Sequence, residues 1–380
     1  MRVVITGADG FIGKNLRVRL GELGYSEIVG ITRETPEAAA SAAYATADFV
    51  FHLAGVNRPK DTSEFAEGNA LLTERVCSSL AAAGRRAPLV LASSTQASQD
   101  SPYGRSKRDA ENFVRAYSVA SQASVYVFRL TNVFGKWARP NYNSGVATFC
   151  HNITRGLPIV VNDRTAPLNL LYIDDVVAAF VAVLGNHAAN GETPEQMPSG
   201  GEFFTAGPVY ETTVGAVADT LESFAASRNS LITPPVGTGL VRALYSTYVS
   251  YLPPERFSYP VARHGDARGV FVEMLKTPDC GQFSYFTAHP GITRGEHYHH
   301  TKTEKFLVIK GSAHFGFRQI ETGERHEIVT HGGDATIVET VPGWTHNITN
   351  VGNDELIVML WANEIFDRET PDTIAMKVHA

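Results

Sequence analysis

The spacing of apolar runs changes along the chain, and this change constrains the fold more than any other feature. Up to about residue 185, apolar runs alternate with longer segments of helical periodicity, at 2–6, 27–32, 49–53, 89–93 and 125–130. Strands that alternate with helices form a parallel sheet covered by helices. After about residue 265 short runs are separated by Gly, Pro, Asn and Asp, at 269–275, 305–309, 313–317, 335–338 and 356–361. This second pattern predicts an all-β barrel or jelly roll.

A chain of 380 residues exceeds the usual size of one hydrophobic core, so two domains are expected. The aromatic and proline-bearing segment 244–260 lies between the two patterns. We place the boundary there, which gives domains 1–248 and 249–380. The predicted fold is an α/β Rossmann-like, doubly wound parallel sheet followed by an all-β jelly-roll barrel.

Composition excludes several classes of protein. With 43% apolar and 19% charged residues, the chain is neither disordered nor fibrous. A net charge of -6 without a basic stretch argues against a nucleic-acid partner. The odd cysteine count, without metal-ligand spacing, indicates a reducing compartment. No secretory signal or apolar span is visible, so we expect a cytoplasmic protein without a membrane partner.

A glycine-rich segment directly follows the first apolar run. Gly7, Gly10 and Gly13 form G-x-x-G-x-x-G between a strand and a helix. Glycines allow the tight turn and the close approach of a pyrophosphate, which the helix N-terminus attracts. This turn, including Phe11 and Ile12, predicts a nucleotide site. Arg33 stands after the second strand, where NAD-preferring relatives of this fold carry an acid; it favours the 2′-phosphate of NADPH, the alternative being a solvated surface arginine.

Tyr103 and Lys107 are four residues apart and therefore share one helix face. A nearby ammonium and a cofactor ribose can lower a tyrosine pKa, so that the phenol passes a proton to or from a sugar oxygen. Such pairs also occur by chance on exposed helices. The strand end LASST, at residues 91–95, supplies hydroxyls that could orient the same oxygen.

These motifs, with FVFHLAG (49–55), RLTNVFGKW (129–137) and YIDDVV (172–177), resemble the extended short-chain dehydrogenase/reductases that act on nucleotide sugars. The resemblance covers about 240 residues. It implies the catalytic residues Ser94, Tyr103 and Lys107, further cofactor-binding residues Asp48, Leu53, Ala54, Gly55 and Asn69, and Asn132 near the sugar nucleotide. Only nine positions separate Ser94 from Tyr103, fewer than is usual in that family, so Thr95 stays open as an alternative to Ser94.

Two histidine motifs lie in the second half of the chain. One is G-x5-H-x-H-x4-E-x6-G, with His297, His299 and Glu304, and the other is P-G-x-x-H-x3-N, with His346. Alternate residues of a strand share a face, so these four side chains can surround one metal ion. The pair of motifs resembles the cupin superfamily over about residues 260–380. Three imidazoles and a carboxylate suit Zn, Fe, Ni or Mn, and we favour zinc.

The segment D-x-R-G-x-F-x-E at 266–273 resembles the opening strand of cupin-type deoxysugar epimerases, which implies that Arg268 contacts the nucleotide diphosphate. An ordinary edge strand is the alternative. Cupins of this kind commonly pair through their opening strands, so we expect a homodimer.

Together the motifs resemble the bifunctional reductase–cupin enzymes of capsular polysaccharide synthesis. This resemblance implies that the cupin inverts C3 of a UDP-2-acetamido-2,6-dideoxy-4-hexulose. The reductase then reduces C4 with NADPH to UDP-2-acetamido-2,6-dideoxy-L-talose, on the route to UDP-N-acetyl-L-fucosamine. His300 and Lys302 are candidates for the base at C3. A reductase with a purely structural cupin, a non-catalytic sugar-nucleotide sensor, and an epimerase that recycles its cofactor are alternatives.

Overall fold

The computed structural model describes residues 1–190, 203–266, 269–272, 274–275, 281–364, 367 and 369–379. The described residues form two compact units: Met1–Ser144 with Leu168–Glu211, and Gly145–Pro167 with Thr212–Ala380. The second unit therefore includes segments that precede residue 248 in sequence, at 145–167 and from 212 onwards. The boundary between residues 248 and 249 stays a prediction.

The first unit alternates strands and helices, as the sequence predicted. Its strands are β1 (Arg2–Thr6), β2 (Glu27–Ile31), β3 (Phe49–His52), β4 (Leu89–Ser94), β5 (Val125–Leu130), β6 (Asn132–Phe134), β7 (Pro167–Tyr172) and β8 (Val209–Thr213). Its helices are α1 (Phe11–Glu22), α2 (Glu37–Ala45), α3 (Ser63–Phe65), α4 (Leu72–Ala82), α5 (Pro102–Ser121) and α7 (Ile173–Asn190), with a π-helical turn at Ala66–Leu71 and a 3-10 turn at Thr95–Ser98.

Five strands form a parallel sheet in the order β2-β1-β3-β4-β5. Side chains of a strand alternate between the two faces of a sheet. Accordingly, Val50 joins a core with Val76 and Leu80 of α4, whereas the ring of Phe51 stacks on Phe180 of α7. Helices therefore cover both faces, and the prediction of a Rossmann-like doubly wound sheet is confirmed.

The second unit contains helices and an antiparallel β structure. Its helices are α6 (Gly145–Thr154), α8 (Val214–Ser230) and α9 (Gly239–Ser250), with a 3-10 turn at Pro254–Arg256. Its strands are β9 (Ser258–Pro260), β10 (Arg263–Asp266), β11 (Gly269–Val272), β12 (Gln282–Ala288), β13 (Thr293–Tyr298), β14 (Glu304–Lys310), β15 (Ser312–Gln319), β16 (Arg325–His331), β17 (Thr336–Glu339), β18 (Trp344–Asn350), β19 (Leu356–Ala362) and β20 (Ile374–Ala375).

Two five-stranded sheets build this β structure, in the orders β12-β19-β14-β17-β9 and β16-β15-β18-β13-β20. The pairings are antiparallel, which confirms the predicted all-β second fold. A register shift between Gly295 and His297 interrupts the pairing of β13 with β18. Bulges of this kind re-aim side chains next to functional sites. Among the described residues, no helix is long and apolar enough to cross a membrane.

Candidate functional site

The glycine turn after β1 packs tightly against a second turn. Gly7 has a φ of +67°, and a Cβ atom there would lie 2.8 Å from the backbone nitrogen of Ala54. A Cβ atom at Gly13 would lie 2.3 Å from the carbonyl oxygen of Gly7. Helix α1 begins at Phe11 and no side chain caps its N-terminus. The carboxyl edge of the sheet thus offers backbone N–H groups and a positive helix end to an anion.

The other predicted cofactor residues fall into two groups. Leu53, Ala54 and Gly55 follow β3 at the same edge as the glycine turn, and Arg33 is exposed just beyond the end of β2. Asp48 is not brought to this edge. It precedes β3 at the opposite end of the sheet, where it accepts a hydrogen bond from the backbone of Arg2 and pairs with Arg85 at 2.9 Å.

Asn69 connects the turn after β3 to helix α5. It lies in the π-helical turn, and its amide oxygen accepts from the backbone N–H of Val56 at 2.8 Å. Its amide nitrogen donates to Ser106 Oγ at 3.0 Å. A Cβ atom at Gly55 would lie 2.7 Å from Asn69 Oδ1 and 3.3 Å from Lys107 Nζ. The predicted cofactor turn therefore lies directly beside the predicted catalytic lysine.

The predicted catalytic residues come together at the end of β4. The Ser94 side chain lies close enough to Tyr103 to lower the pKa of its phenol, and Lys107 Nζ lies 5.9 Å from the centre of the Tyr103 ring. Burial raises the pKa of Tyr103 although the Ser94 hydroxyl acts against it, so the phenol keeps its proton at neutral pH. Burial lowers the pKa of Lys107 to about 8, against the raising effect of Glu111. Ser94 is the neighbouring hydroxyl that lowers the pKa of Tyr103, whereas Thr95 lines the cleft described below.

Sequence reasoning missed a buried ion pair behind this site. Glu111 is fully buried on α5 and accepts hydrogen bonds from Arg129 Nε at 2.9 Å and Nη2 at 2.7 Å. Ser93 Oγ donates to the same carboxylate at 2.5 Å. Glu111 follows Lys107 by four residues, and this spacing, which places it on the same helix face, is the signal that could have revealed it.

A cleft of about 340 Å³ opens at the carboxyl edge of β4 and β5. Its lining includes Thr95, Arg129, Thr131, Asn169 and Phe203. The predicted substrate residue Asn132 is exposed and donates to the carbonyl oxygen of Asn169 at 3.2 Å, which also accepts from Thr131. Asn132 is thus adjacent to the cleft through Asn169. Arg268, the second predicted substrate residue, lies outside the described residues.

The four predicted metal ligands converge in the second unit. The candidate ligand atoms of His297, His299, Glu304 and His346 all lie within 4.8 Å of one another. Glu304 Oε2 is 3.3 Å from His299 Nε2 and 3.5 Å from His346 Nε2. His297 lies on β13, Glu304 on β14 and His346 on β18, while His299 follows the end of β13. The geometry suits a single cation.

The electrostatics of this cluster also suit a metal. Burial, then the nearby charge of His346, lowers the pKa of His297 to about 3, so this imidazole is neutral and can offer a lone pair. Burial alone would raise the pKa of Glu304, but the neighbouring imidazoles of His299 and His346 hold it well below its usual value. His299 Nδ1 donates to the carbonyl oxygen of Asp372, and in this tautomer the lone pair on Nε2 faces Glu304. Two facing lone-pair atoms are stabilised by a shared cation.

Comparison with known families gives two matches. Residues 3–197 match the NAD dependent epimerase/dehydratase family. Residues 264–374 match the polysaccharide biosynthesis C-terminal domain. The first match covers the part of the chain in which strands alternate with helices, and the second covers the part with short β-strands.

Individual proteins match over nearly the whole chain. A UDP-2-acetamido-2,6-beta-L-arabino-hexul-4-ose reductase of Pseudomonas aeruginosa is 54% identical over 378 residues, covering 100% of this chain and 99% of the relative. The crystal structure of the capsular polysaccharide assembling protein CapF from Staphylococcus aureus is 41% identical with a TM-score of 0.67, covering 99% of this chain and 100% of that chain. A UDP-glucuronic acid 4-epimerase of Bacillus cereus, 18% identical with a TM-score of 0.55, covers 66% of this chain and 98% of that chain and shares the fold. The predicted similarity to the bifunctional capsule enzymes is confirmed.

Proposed function

Because the chain belongs to the NAD dependent epimerase/dehydratase family, we propose that it reduces the C4 ketone of a UDP-2-acetamido-2,6-dideoxy-4-hexulose with NADPH. It is a nucleotide-sugar reductase/epimerase-like enzyme related to CapF. The product would be UDP-2-acetamido-2,6-dideoxy-L-talose, a precursor of UDP-N-acetyl-L-fucosamine. The observation that carries the proposal is the position of Tyr103 beside buried Lys107 and Ser94 at the end of β4.

The residues at the end of β4 have complementary roles in this reduction. When bound at the glycine turn, the cofactor supplies the hydride that C4 accepts. Tyr103 donates its phenolic proton to the ketone oxygen, and Ser94 holds that oxygen by a hydrogen bond. The ammonium of Lys107 stabilises the phenolate that remains, because a buried positive charge interacts strongly with a nearby anion. Burial of Tyr103 keeps the phenol protonated beforehand.

The choice of NADPH rests on the end of β2. Arg33 is exposed there, and no ion pair of its side chain is present among the described residues. Guanidinium groups bind phosphate oxygens through paired hydrogen bonds. Arg33 is therefore available to the 2′-phosphate that distinguishes NADPH from NADH.

For the second unit we propose epimerisation at C3 of the same ketone. The C3 hydrogen is acidic only while C4 is a ketone, so inversion must precede reduction. His297, His299, Glu304 and His346 would hold one divalent metal, for which we favour zinc. A metal bound there would supply positive charge, either to polarise the ketone oxygen or to stabilise the barrel. Lys302 Nζ lies 3.1 Å from Glu304 Oε1, which places a second cation at the cluster.

We further propose that two chains associate through the β structure. Phe283 and Tyr285 lie on β12 with 48% and 72% of their surfaces exposed. Apolar side chains exposed side by side on a sheet are typical of interaction surfaces. Sedimentation of the wild-type chain and of Tyr285→Lys tests the proposal. A wild-type monomer would refute it.

One experiment tests both activities. The purified chain is incubated with NADPH and the UDP-4-hexulose in deuterated water, while absorbance reports NADPH and NMR reports the product. We expect NADPH oxidation and deuterium at C3 of a 6-deoxy-talosamine product. Oxidation without deuterium would reduce the β domain to a structural role. Absence of oxidation would refute the reductase.

The variant Tyr103→Phe separates the two activities. It removes only the hydroxyl that donates the proton, and general acids contribute about 10²–10⁴-fold to such rates. We expect NADPH oxidation to fall by that factor while C3 exchange persists. Normal reduction by this variant would refute the role of Tyr103. Loss of both activities would show that the two depend on one site.

A further inference from the structure

The C-terminal segment Asp372–Val378, termed here the strap, lies along the strand that carries His297. Within the strap, β20 pairs antiparallel with β13, with Ala375 opposite His297 and Ile374 opposite Tyr298. The backbone N–H of Met376 donates to the carbonyl oxygen of Glu296 at 2.8 Å. The strap thus contains the edge strand of the sheet in which β13 and β18 carry His297 and His346.

At the start of the strap, the Asp372 carboxylate binds the turn between His299 and Glu304. It accepts from the backbone N–H groups of His300 at 2.9 Å, Thr301 at 2.7 Å and Lys302 at 2.8 Å. The Thr301 hydroxyl donates to it at 3.0 Å. Hydrogen bonds to a charged acceptor are the stronger ones, and here they fix the backbone that leads from one metal ligand to the next.

The backbone of Asp372 also contacts a ligand directly. Its carbonyl oxygen accepts from His299 Nδ1. A neutral imidazole that donates from Nδ1 has its lone pair on Nε2, and Nε2 faces Glu304 Oε2 at 3.3 Å. The side-chain carboxylate holds Asp372 in place. The backbone carbonyl oxygen of Asp372 in turn sets the tautomer and the ring orientation of His299.

We propose that Asp372 is a positioning residue of the metal centre, which orients His299 for metal binding through the strap. The inference rests on the metal-binding part of the proposed function. Outer-shell groups that orient ligating histidines typically contribute about 10–100-fold to metal affinity. Asp372 lies 68 positions after Glu304 in sequence, since 372 minus 304 is 68, and belongs to neither histidine motif.

The test measures zinc affinity rather than turnover. The full chain is stripped of metal with a chelator and titrated with zinc against a competing chromophoric chelator. For Asp372→Ala we expect zinc to bind about 10–100-fold more weakly than to the wild type. Asp372→Asn keeps the side-chain shape and one acceptor oxygen for the backbone N–H groups, so a smaller loss is expected. Asp367→Asn is the matched control, because the contacts of the Asp367 carboxylate with described residues are with Glu369 and Thr370 of the preceding loop.

The outcomes separate the strap from the metal centre itself. A wild-type chain that takes up no zinc would refute the metal centre and the strap together. Zinc binding by the wild type with unchanged affinity in Asp372→Ala would overturn the role of Asp372 alone, as would an equal loss in Asp367→Asn. Melting of the metal-free chains shows whether Asp372→Ala folds. If it does not, unchanged affinity in Asp372→Asn overturns the proposal.

Discussion

The substitution Glu111→Gln tests how the reductase site is supported. Both oxygens of Glu111 accept hydrogen bonds, so one acceptor would become an NH₂ group facing Arg129 or Ser93. Removing one charge of a buried ion pair costs about 3–5 kcal/mol. Glu111 is fully buried, but the Arg129 side chain is 24% exposed, so water can solvate part of the remaining charge. We therefore expect the free energy of unfolding to fall by about 3 kcal/mol.

The same substitution should change the pH dependence of reduction. The charge of Glu111 raises the pKa of Lys107 against the lowering effect of burial. Without that charge Lys107 loses its proton at lower pH, so the loss of reductase activity at high pH should also move to lower pH. Urea unfolding and NADPH oxidation across pH measure the two effects, with Glu111→Asp as the partial rescue and exposed Asp109→Asn as the control. Unchanged stability together with an unshifted profile would refute this account of Glu111.

Further predictions concern individual residues. Burial lowers the pKa of Lys107 from 10.5 to about 8. NADPH oxidation should therefore fall as pH rises through about 8, while the free energy of unfolding rises between about pH 8 and 10.5; a flat rate profile would contradict this. Arg33→Asp should lower the NADPH:NADH ratio of kcat/KM about tenfold or more, since a hydrogen bond to a charged group contributes about 1.5–3 kcal/mol; an unchanged ratio would make Arg33 a surface residue. His346→Ala should weaken zinc binding, measured by chelator competition, by more than the about 10–100-fold expected for an outer-shell residue, and equal affinity would remove His346 from the ligand set.

The sequence predicted the strands of the parallel sheet in the first unit closely, because each strand is a short apolar run bounded by polar or turn-forming residues. The end of β3 is buried in the sheet, and the turn that follows lies at the same edge as the glycine turn. The family resemblance assigned Asp48 to the cofactor site, but Asp48 lies at the other end of the sheet because it precedes β3. A residue that precedes a parallel strand lies at the edge opposite the carboxyl ends, about 13 Å away for four residues.

In the second unit, motif spacing predicted the convergence of His297, His299, Glu304 and His346 on one site. Sequence did not predict the helices α8 and α9 as part of this unit. A buried pair of Arg228 with Glu339, and another of Lys305 with Glu339, links α8 to β14 and β17. Such ion pairs depend on which elements pack together in the fold. The helical periodicity of a segment does not show which elements it packs against.

In both the reductase site and the metal site, motif residues and residues distant in sequence have different roles. Tyr103 and Lys107, or His299 and Glu304, supply the reactive or ligating atoms from short segments that a pattern can identify. The charge and orientation of these atoms depend on Glu111 with Arg129 in one unit and on Asp372 in the other. A buried lysine would otherwise lose its proton more readily, and an unsupported imidazole can rotate or change tautomer. Substitution at these supporting residues should therefore alter pH profiles and metal affinity while every motif residue remains in place.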